Sequence, residues 1–156
     1  MKIFSTQGCT STIYQDDSEP DFLVKYTIAP TWLSFLIYVG KVEGEYLGTF
    51  PAIVMHFDIN PGQVVHGFRV RKYRPVTIED GVKNFGKTLK DVAEKTFQTF
   101  DAIAPDYLVA ASDYWMMNFL RGKDWEIIPY DAFEIYDDEN CKILSQFLFN
   151  QETVSL

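Results

Sequence analysis

The sequence predicts an α+β domain, with a mixed, mostly antiparallel sheet flanked by two main helices. Three observations point there. One long segment, 82–100, repeats its apolar residues at three- and four-residue spacing. Several shorter runs are rich in β-branched and aromatic residues and are separated by turn signals such as Asn60-Pro61-Gly62. The 156 residues lie close to the ~150 of one domain, so a single unit is expected over 1–156.

Taken in order, residues 1–32 read as an irregular N-terminal segment, in which Gln15-Asp16-Asp17-Ser18-Glu19-Pro20 is a polar loop between short apolar runs. Ser34 to Val42 is the first expected strand. Lys41-Val42-Glu43-Gly44-Glu45 turns the chain, and Tyr46 to Phe57 is the second, with Pro51 marking an edge or a bulge. Val64 to Val70 completes a β-meander. In the helix that follows, Val82, Phe85, Leu89, Val92, Ala93, Thr96 and Phe100 form the apolar stripe. Lys87–Asp91, Lys90–Glu94 and Asp91–Lys95 pair on the opposite face. Asp101 and Pro105 end it. Tyr107 to Ala111 is a short buried strand, and Asp113 to Arg121 a second helix capped by Ser112 and broken by Gly122. Trp125 to Tyr136 and Lys142 to Phe149 are the last two strands, joined by a turn at Asp137-Asp138-Glu139-Asn140.

Composition removes several classes. With 47% apolar and 16% aromatic residues the chain can build a core, which excludes disorder. Its 14 Lys and Arg against 22 Asp and Glu leave a net charge of -8, so nucleic acid is an unlikely partner for the chain as a whole. Apolar stretches such as Leu36 to Val39 fall far short of the ~20 residues that span a bilayer, so no membrane association is expected. No basic-then-apolar leader follows Met1-Lys2-Ile3-Phe4, and Cys9 and Cys141 are too few for a disulfide framework. A cytoplasmic location is expected.

The charge is unevenly spread. Residues 69–95 hold 8 cations against 4 anions, a basic island beginning at Arg69, Arg71, Lys72 and Arg74, while 96–156 carry 3 cations and 11 anions. The island reads either as a solvated helix face with a charge-guarded strand edge, or as an anion site suited to phosphate. Gly81-Val82-Lys83-Asn84-Phe85-Gly86-Lys87-Thr88 fits the phosphate-loop pattern G-x-x-x-x-G-K-[ST]. Its context disagrees: Glu79-Asp80 put two anions where a buried strand should enter, and Val82 and Phe85 belong to the helical stripe. Cys9, His56, His66 and Cys141 lack ligand spacing, so no metal is expected. His56 and Asp58 would share one strand face as an acid–base pair or as plain polar surface. Tyr114, Trp115, Met116, Met117 and Phe119 crowd one element with apolar side chains, for the core or for a partner.

Several segments resemble the GNAT N-acetyltransferase superfamily, especially its small divergent phage-encoded members. Phe35-Leu36-Ile37-Tyr38-Val39 and Gly44-Glu45-Tyr46-Leu47-Gly48 look like the second and third strands, and Val70-Arg71-Lys72-Tyr73-Arg74-Pro75 like the end of the fourth. Asn84-Phe85-Gly86-Lys87-Thr88-Leu89 is similar to the loop opening the acyl-CoA helix, Tyr107 to Ala111 to the fifth strand, and Asn118 to Glu126 to the end of the helix after it. The resemblance implies acetyl-CoA as cofactor. Val70 and Arg71 would pair strand-like with pantetheine, and Gly86, Lys87 and Thr88 would offer N–H groups to the pyrophosphate. Lys83 or Arg74 would meet the remaining phosphate charge, and His66 or Asp58 would be the catalytic base.

The departures from the pattern decide between readings. Gly81 stands where the family has Gln or Arg, Asn84 replaces the first glycine, and Leu120 occupies the place of the tyrosine that protonates the thiolate. The expectation is therefore a phage-type GNAT-like protein without a cofactor, serving as a binding or structural component, virion-associated or host-interacting, with a protein partner or a second copy. The alternatives are a divergent acyl-CoA-dependent N-acyltransferase and an acidic inhibitor that mimics nucleic acid. One conflict stays open: Thr77-x-x-Asp80 is a capping motif that starts the helix near Ile78 and dissolves the phosphate loop, whereas a start after Gly81 keeps it.

Overall fold

Five strands, each antiparallel to its neighbours, make the main sheet: β1 (Lys2–Ser5), β2 (Ser11–Gln15), β3 (Phe22–Thr27), β4 (Gly44–Phe50) and β5 (Val65–Arg71), in the order β1-β2-β3-β5-β4. The computed structural model describes residues 2–5, 10–77, 85–105, 109–110, 116–135 and 144–149. Helix α1 (Thr31–Tyr38) follows β3, and α2 (Phe85–Ile103) follows a two-residue strand β6 (Arg74–Pro75). Four further two-residue strands, β7 (Val109–Ala110), β8 (Leu120–Arg121), β9 (Ile127–Ile128) and β10 (Glu134–Ile135), complete two small sheets, β6-β8-β9 and β7-β10. The α+β class, the mostly antiparallel sheet and the number of main helices are as expected, although only α2 falls where a helix was expected.

The N-terminal segment 1–32 departs from its irregular reading, because it supplies three of the five main strands. Asp16 to Asp21 is indeed a polar loop: the Asp16 carboxylate accepts from the Ser18 N–H at 3.0 Å, closing an Asx turn. The apolar runs on either side are β2 and β3. Central β3, between β2 and β5, has five of its six residues buried, so period-two alternation is absent from its sequence.

The expected strand over Ser34–Val42 is instead α1. All of Thr31 to Leu36 are buried, since the helix lies between the sheet and a second apolar layer. Ile37 reaches Gly44 on the sheet side, while Trp32 and Phe35 meet Phe100 of α2 with ring centroids at 5.9 and 5.0 Å. A helix buried all round has no polar face, and its periodicity vanishes. Gly40, at φ +78°, closes it: the Lys41 N–H donates to Leu36 O and the Gly40 N–H to Ile37 O, a Schellman cap.

The second expected strand stops early. β4 ends at Phe50, and Pro51 opens a 3-10 turn at Ala52–Val54 because its ring removes a ladder donor. β5 matches expectation. Helix α2 buries Leu89, Ala93, Thr96 and Phe100 on the anticipated stripe, and Thr96 Oγ1 donates to Val92 O at 2.9 Å. Lys90 and Glu94 pair across one turn at 3.9 Å. Val82 and the choice between starts at Ile78 and after Gly81 lie outside the described residues, as do Ser112, Asp113 and the Asp137–Asn140 turn.

The C-terminal elements differ most. Where a second helix over Asp113–Arg121 was expected, 116–121 hold one 3-10 turn, Met116–Asn118, and β8. Of the strand expected over Trp125–Tyr136, the described part, to Ile135, is two short strands around a turn, and the expected final strand is helical over 144–149. In that last segment Phe147 is fully buried against Phe35 and Phe100, so one large anchor residue outweighs β-propensity.

Candidate functional site

The cations that begin the basic island, Arg69 to Arg74, are laid out on and just beyond β5, and each meets a carboxylate or an aromatic ring. Arg69 and Arg71 project from the same face of β5. The β2–β3 loop brings Asp16 and Glu19 to the Arg69 guanidinium at 3.0 and 2.7 Å, and Glu45 of β4 lies at 3.9 Å. Arg71 forms a fork on Glu43, its Nη2 donating at 3.2 Å, and both arginines lie over the Phe22 ring. Lys72 Nζ sits 4.8 Å from the Phe4 ring centre, and Arg74 stacks 4.4 Å over Trp125. Hydrogen bonds from Ser18 and the charge of Arg69 hold the Asp16 carboxyl below its usual range, and the Arg71 fork does the same for Glu43. Exposed pairs of this kind add little stability, but they neutralise the patch. The part of the island on β5 is thus a charge-paired sheet surface, where Arg69 and Arg71 are met by carboxylates.

The residues assigned to acyl-CoA are scattered. Val70 is buried and faces Leu23 on one side and Gly44 on the other. Arg71 faces Phe22, and its N–H donates to Glu43 O at 2.9 Å. Both edges of β5 are therefore consumed by the sheet, which leaves no backbone for strand-like pairing with pantetheine. Gly86, Lys87 and Thr88 form the first turn of α2, Gly86 and Lys87 exposed and Thr88 half-buried. A Cβ on Gly86 would meet nothing within 4 Å, so no close approach within the described chain requires glycine there. Lys83 lies outside the described residues.

His66 and Asp58 do not come together. His66 shares its sheet face with Phe68 and Val70, and its Nδ1 shares a 3.0 Å hydrogen bond with Tyr46 Oη. Asp58 is exposed, in the β4–β5 connection that packs through Met55, Phe57 and Ile59 on the opposite face with Val24 and Val65.

Burial pushes the His66 imidazolium below its ordinary 6.5, which favours the neutral ring in the folded protein. As pH falls through 6.5, the unfolded chain takes up this proton first, so stability drops until the folded pKa is passed. His66→Gln is expected to flatten this part of the urea-midpoint profile on acidification from neutral pH; parallel profiles for the two proteins would show the ring to be solvated.

Sequence reading passed over Lys25. It lies on β3 at 3% exposure, its Nζ 3.5 Å from the Asp131 carboxylate and 4.6 Å from the Tyr130 ring centre. Burial alone would push the ammonium down, but the Asp131 charge and the Tyr130 phenol outweigh it and hold the group above its ordinary value. A lysine that stays charged is no nucleophile. Lys25 instead ties the 127–135 segment to the sheet, and the one signal for it was a lysine inside the otherwise apolar run Phe22-Leu23-Val24-Lys25-Tyr26. Among the described residues, no three His, Cys, Asp or Glu side chains gather as a metal site, and no helix is long and apolar enough to cross a membrane. No protein-family model matches the chain, and no curated protein sequence matches it.

Proposed function

We propose that this small acidic protein, phage-type by its resemblance, is a binding or structural component of a virion or a host interaction, working in the cytoplasm or the particle, without acetyl transfer. The observation that carries the reading is the double pairing of β5: at Val70 and Arg71 both edges are already bonded within the sheet. An acyl-CoA enzyme built as the resemblance implies needs one of them free. The pairing of Arg69 and Arg71 with carboxylates agrees.

Isothermal titration with acetyl-CoA is expected to give no heat, and intact-protein mass spectrometry to find no co-purified CoA. Saturable binding together with exchange protection of the Gly86–Leu89 amides would replace this reading with the acyltransferase one.

A further inference from the structure

We propose that Trp125 and the facing arginines Arg74 and Arg121, at the β8–β9 hairpin, form a recognition site for an acidic segment of a protein partner. Its carboxylates would meet the guanidinium groups, and a neighbouring ring would lie on the indole. The backbone supplies the first observation. The Trp125 N–H donates to Gly122 O at 3.1 Å and the Gly122 N–H to Glu126 O at 2.8 Å, which closes a three-residue hairpin loop, Lys123-Asp124-Trp125. Trp125 ends that loop at φ +66°, the only non-glycine residue with a positive φ among the described residues. Hairpins of this kind take glycine at the left-handed position. A bulky side chain there costs stability, and the core does not offset it: the indole is 63% exposed and belongs to no buried cluster. Strain kept for an exposed ring points outward, to a contact.

Register supplies the second. Arg74 of β6 lies directly opposite Arg121 of β8, and like charges facing across an antiparallel pair disfavour it. Both groups converge on one residue: the Arg74 guanidinium sits 4.4 Å over the indole ring, and Arg121 Nη1 donates to Trp125 O at 2.7 Å. Lys123 adds a third cation, against Asp124 and Glu126, and Glu126 is folded back on the turn, its Oε2 accepting from the Asp124 N–H at 2.9 Å. The site is therefore net positive in a chain of net charge -8. A guanidinium is a planar fork of several N–H donors that matches a carboxylate, so a partner's acid adds to the bonds Arg74 and Arg121 already make. Tryptophan and arginine are also the residue types that dominate the energy of protein contacts. A strand of nucleic acid would bring more negative charge than this small site meets, and the rest of the chain would repel it. The occupant that fits is a protein segment with a few acids beside an aromatic side chain.

The test is a titration of the isotope-labelled full chain with a blocked peptide of alternating glutamate and phenylalanine, read by NMR at the Trp125 indole and the amides of 120–127. Saturable, salt-sensitive binding at sub-millimolar peptide is expected. Trp125→Gly should weaken it about fivefold or more while leaving the thermal midpoint equal to or above the native one, because glycine relieves the left-handed position. Arg74→Gln should weaken it alike, and Met117→Ala, on another exposed apolar residue, should leave it unchanged. No binding at millimolar peptide, equal binding of a lysine–phenylalanine peptide, indifference to Trp125→Gly, or a Trp125→Gly midpoint below the native one would each overturn the proposal. Tighter binding of adenosine monophosphate, or shifts at Trp125 on raising the protein concentration alone, would give the site to a nucleotide or to a second copy and overturn it too. The proposal rests on the non-catalytic reading, whose own test is the CoA titration, so a chain that ignores both CoA and the peptide loses this site and keeps that reading.

Discussion

Phe35→Ala is expected to lower the unfolding free energy by about 3–5 kcal/mol, the usual cost of truncating a fully buried phenylalanine. Phe35 is 0% exposed, and its ring touches Trp32 at 5.3 Å on its own helix, Phe100 of α2 edge-on at 5.0 Å, and Phe147 of the 144–149 segment at 5.9 Å. One side chain therefore joins three helical segments, and the cavity left by alanine would be lined by rings whose backbones are held elsewhere. Against a typical total of ~5–15 kcal/mol, that is a large fraction. Urea unfolding followed by tryptophan fluorescence measures it through Trp32. A loss below about 1 kcal/mol would mean that these segments close over the gap, contrary to the packing of α1 between two layers.

Gly67→Ala is expected to cost about 1–3 kcal/mol by overpacking, and Phe50→Leu to recover much of it. Gly67 lies in the middle of β5, where a Cβ would come 2.8 Å from Phe50 Cδ2. The Phe50 ring has little freedom to turn aside because it packs edge-on against Tyr26, with centroids 4.9 Å apart. The informative quantity is the coupling in the four-protein cycle of native, both single variants and the double variant. Additive losses would show that the Phe50 ring does not close over Gly67.

Both substitutions fall on positions that were only partly legible. Phe35 reads as a core residue in any secondary structure, but its element was misread, because a short apolar run buried on all sides looks the same as strand and as helix. Gly40, two residues beyond the helix, was the local signal for a C-cap, and it was overshadowed by the β-branched residues around it. Helix α2, with one wet face, was read along its correct stripe. In β3 two buried faces erased the alternation that would have marked a strand.

The candidate site shows the same division. Carboxylates at Asp16, Glu19, Glu43 and Glu45 were visible as acidic residues, and Arg69 and Arg71 as basic ones, yet their pairing needs the β2–β3 loop brought to β5 and β4 registered beside it. A linear charge count separates these groups by up to 53 positions, as for Asp16 and Arg69. It therefore reports unopposed cations at Arg69 and Arg71 where the structure pairs them with carboxylates.

By itself the sequence determined the α+β class, the antiparallel habit of the strands, the amphipathic helix and an acidic chain without a bilayer-length apolar run. Each of these follows from composition or from a period of two or 3.6, which are local properties. The tertiary structure decided that 31–38 is a helix, that β5 is paired on both edges, and that Arg69 and Arg71 are met by carboxylates. Those outcomes depend on which distant segments cover a residue, and burial by a distant partner leaves no period in the chain that it buries.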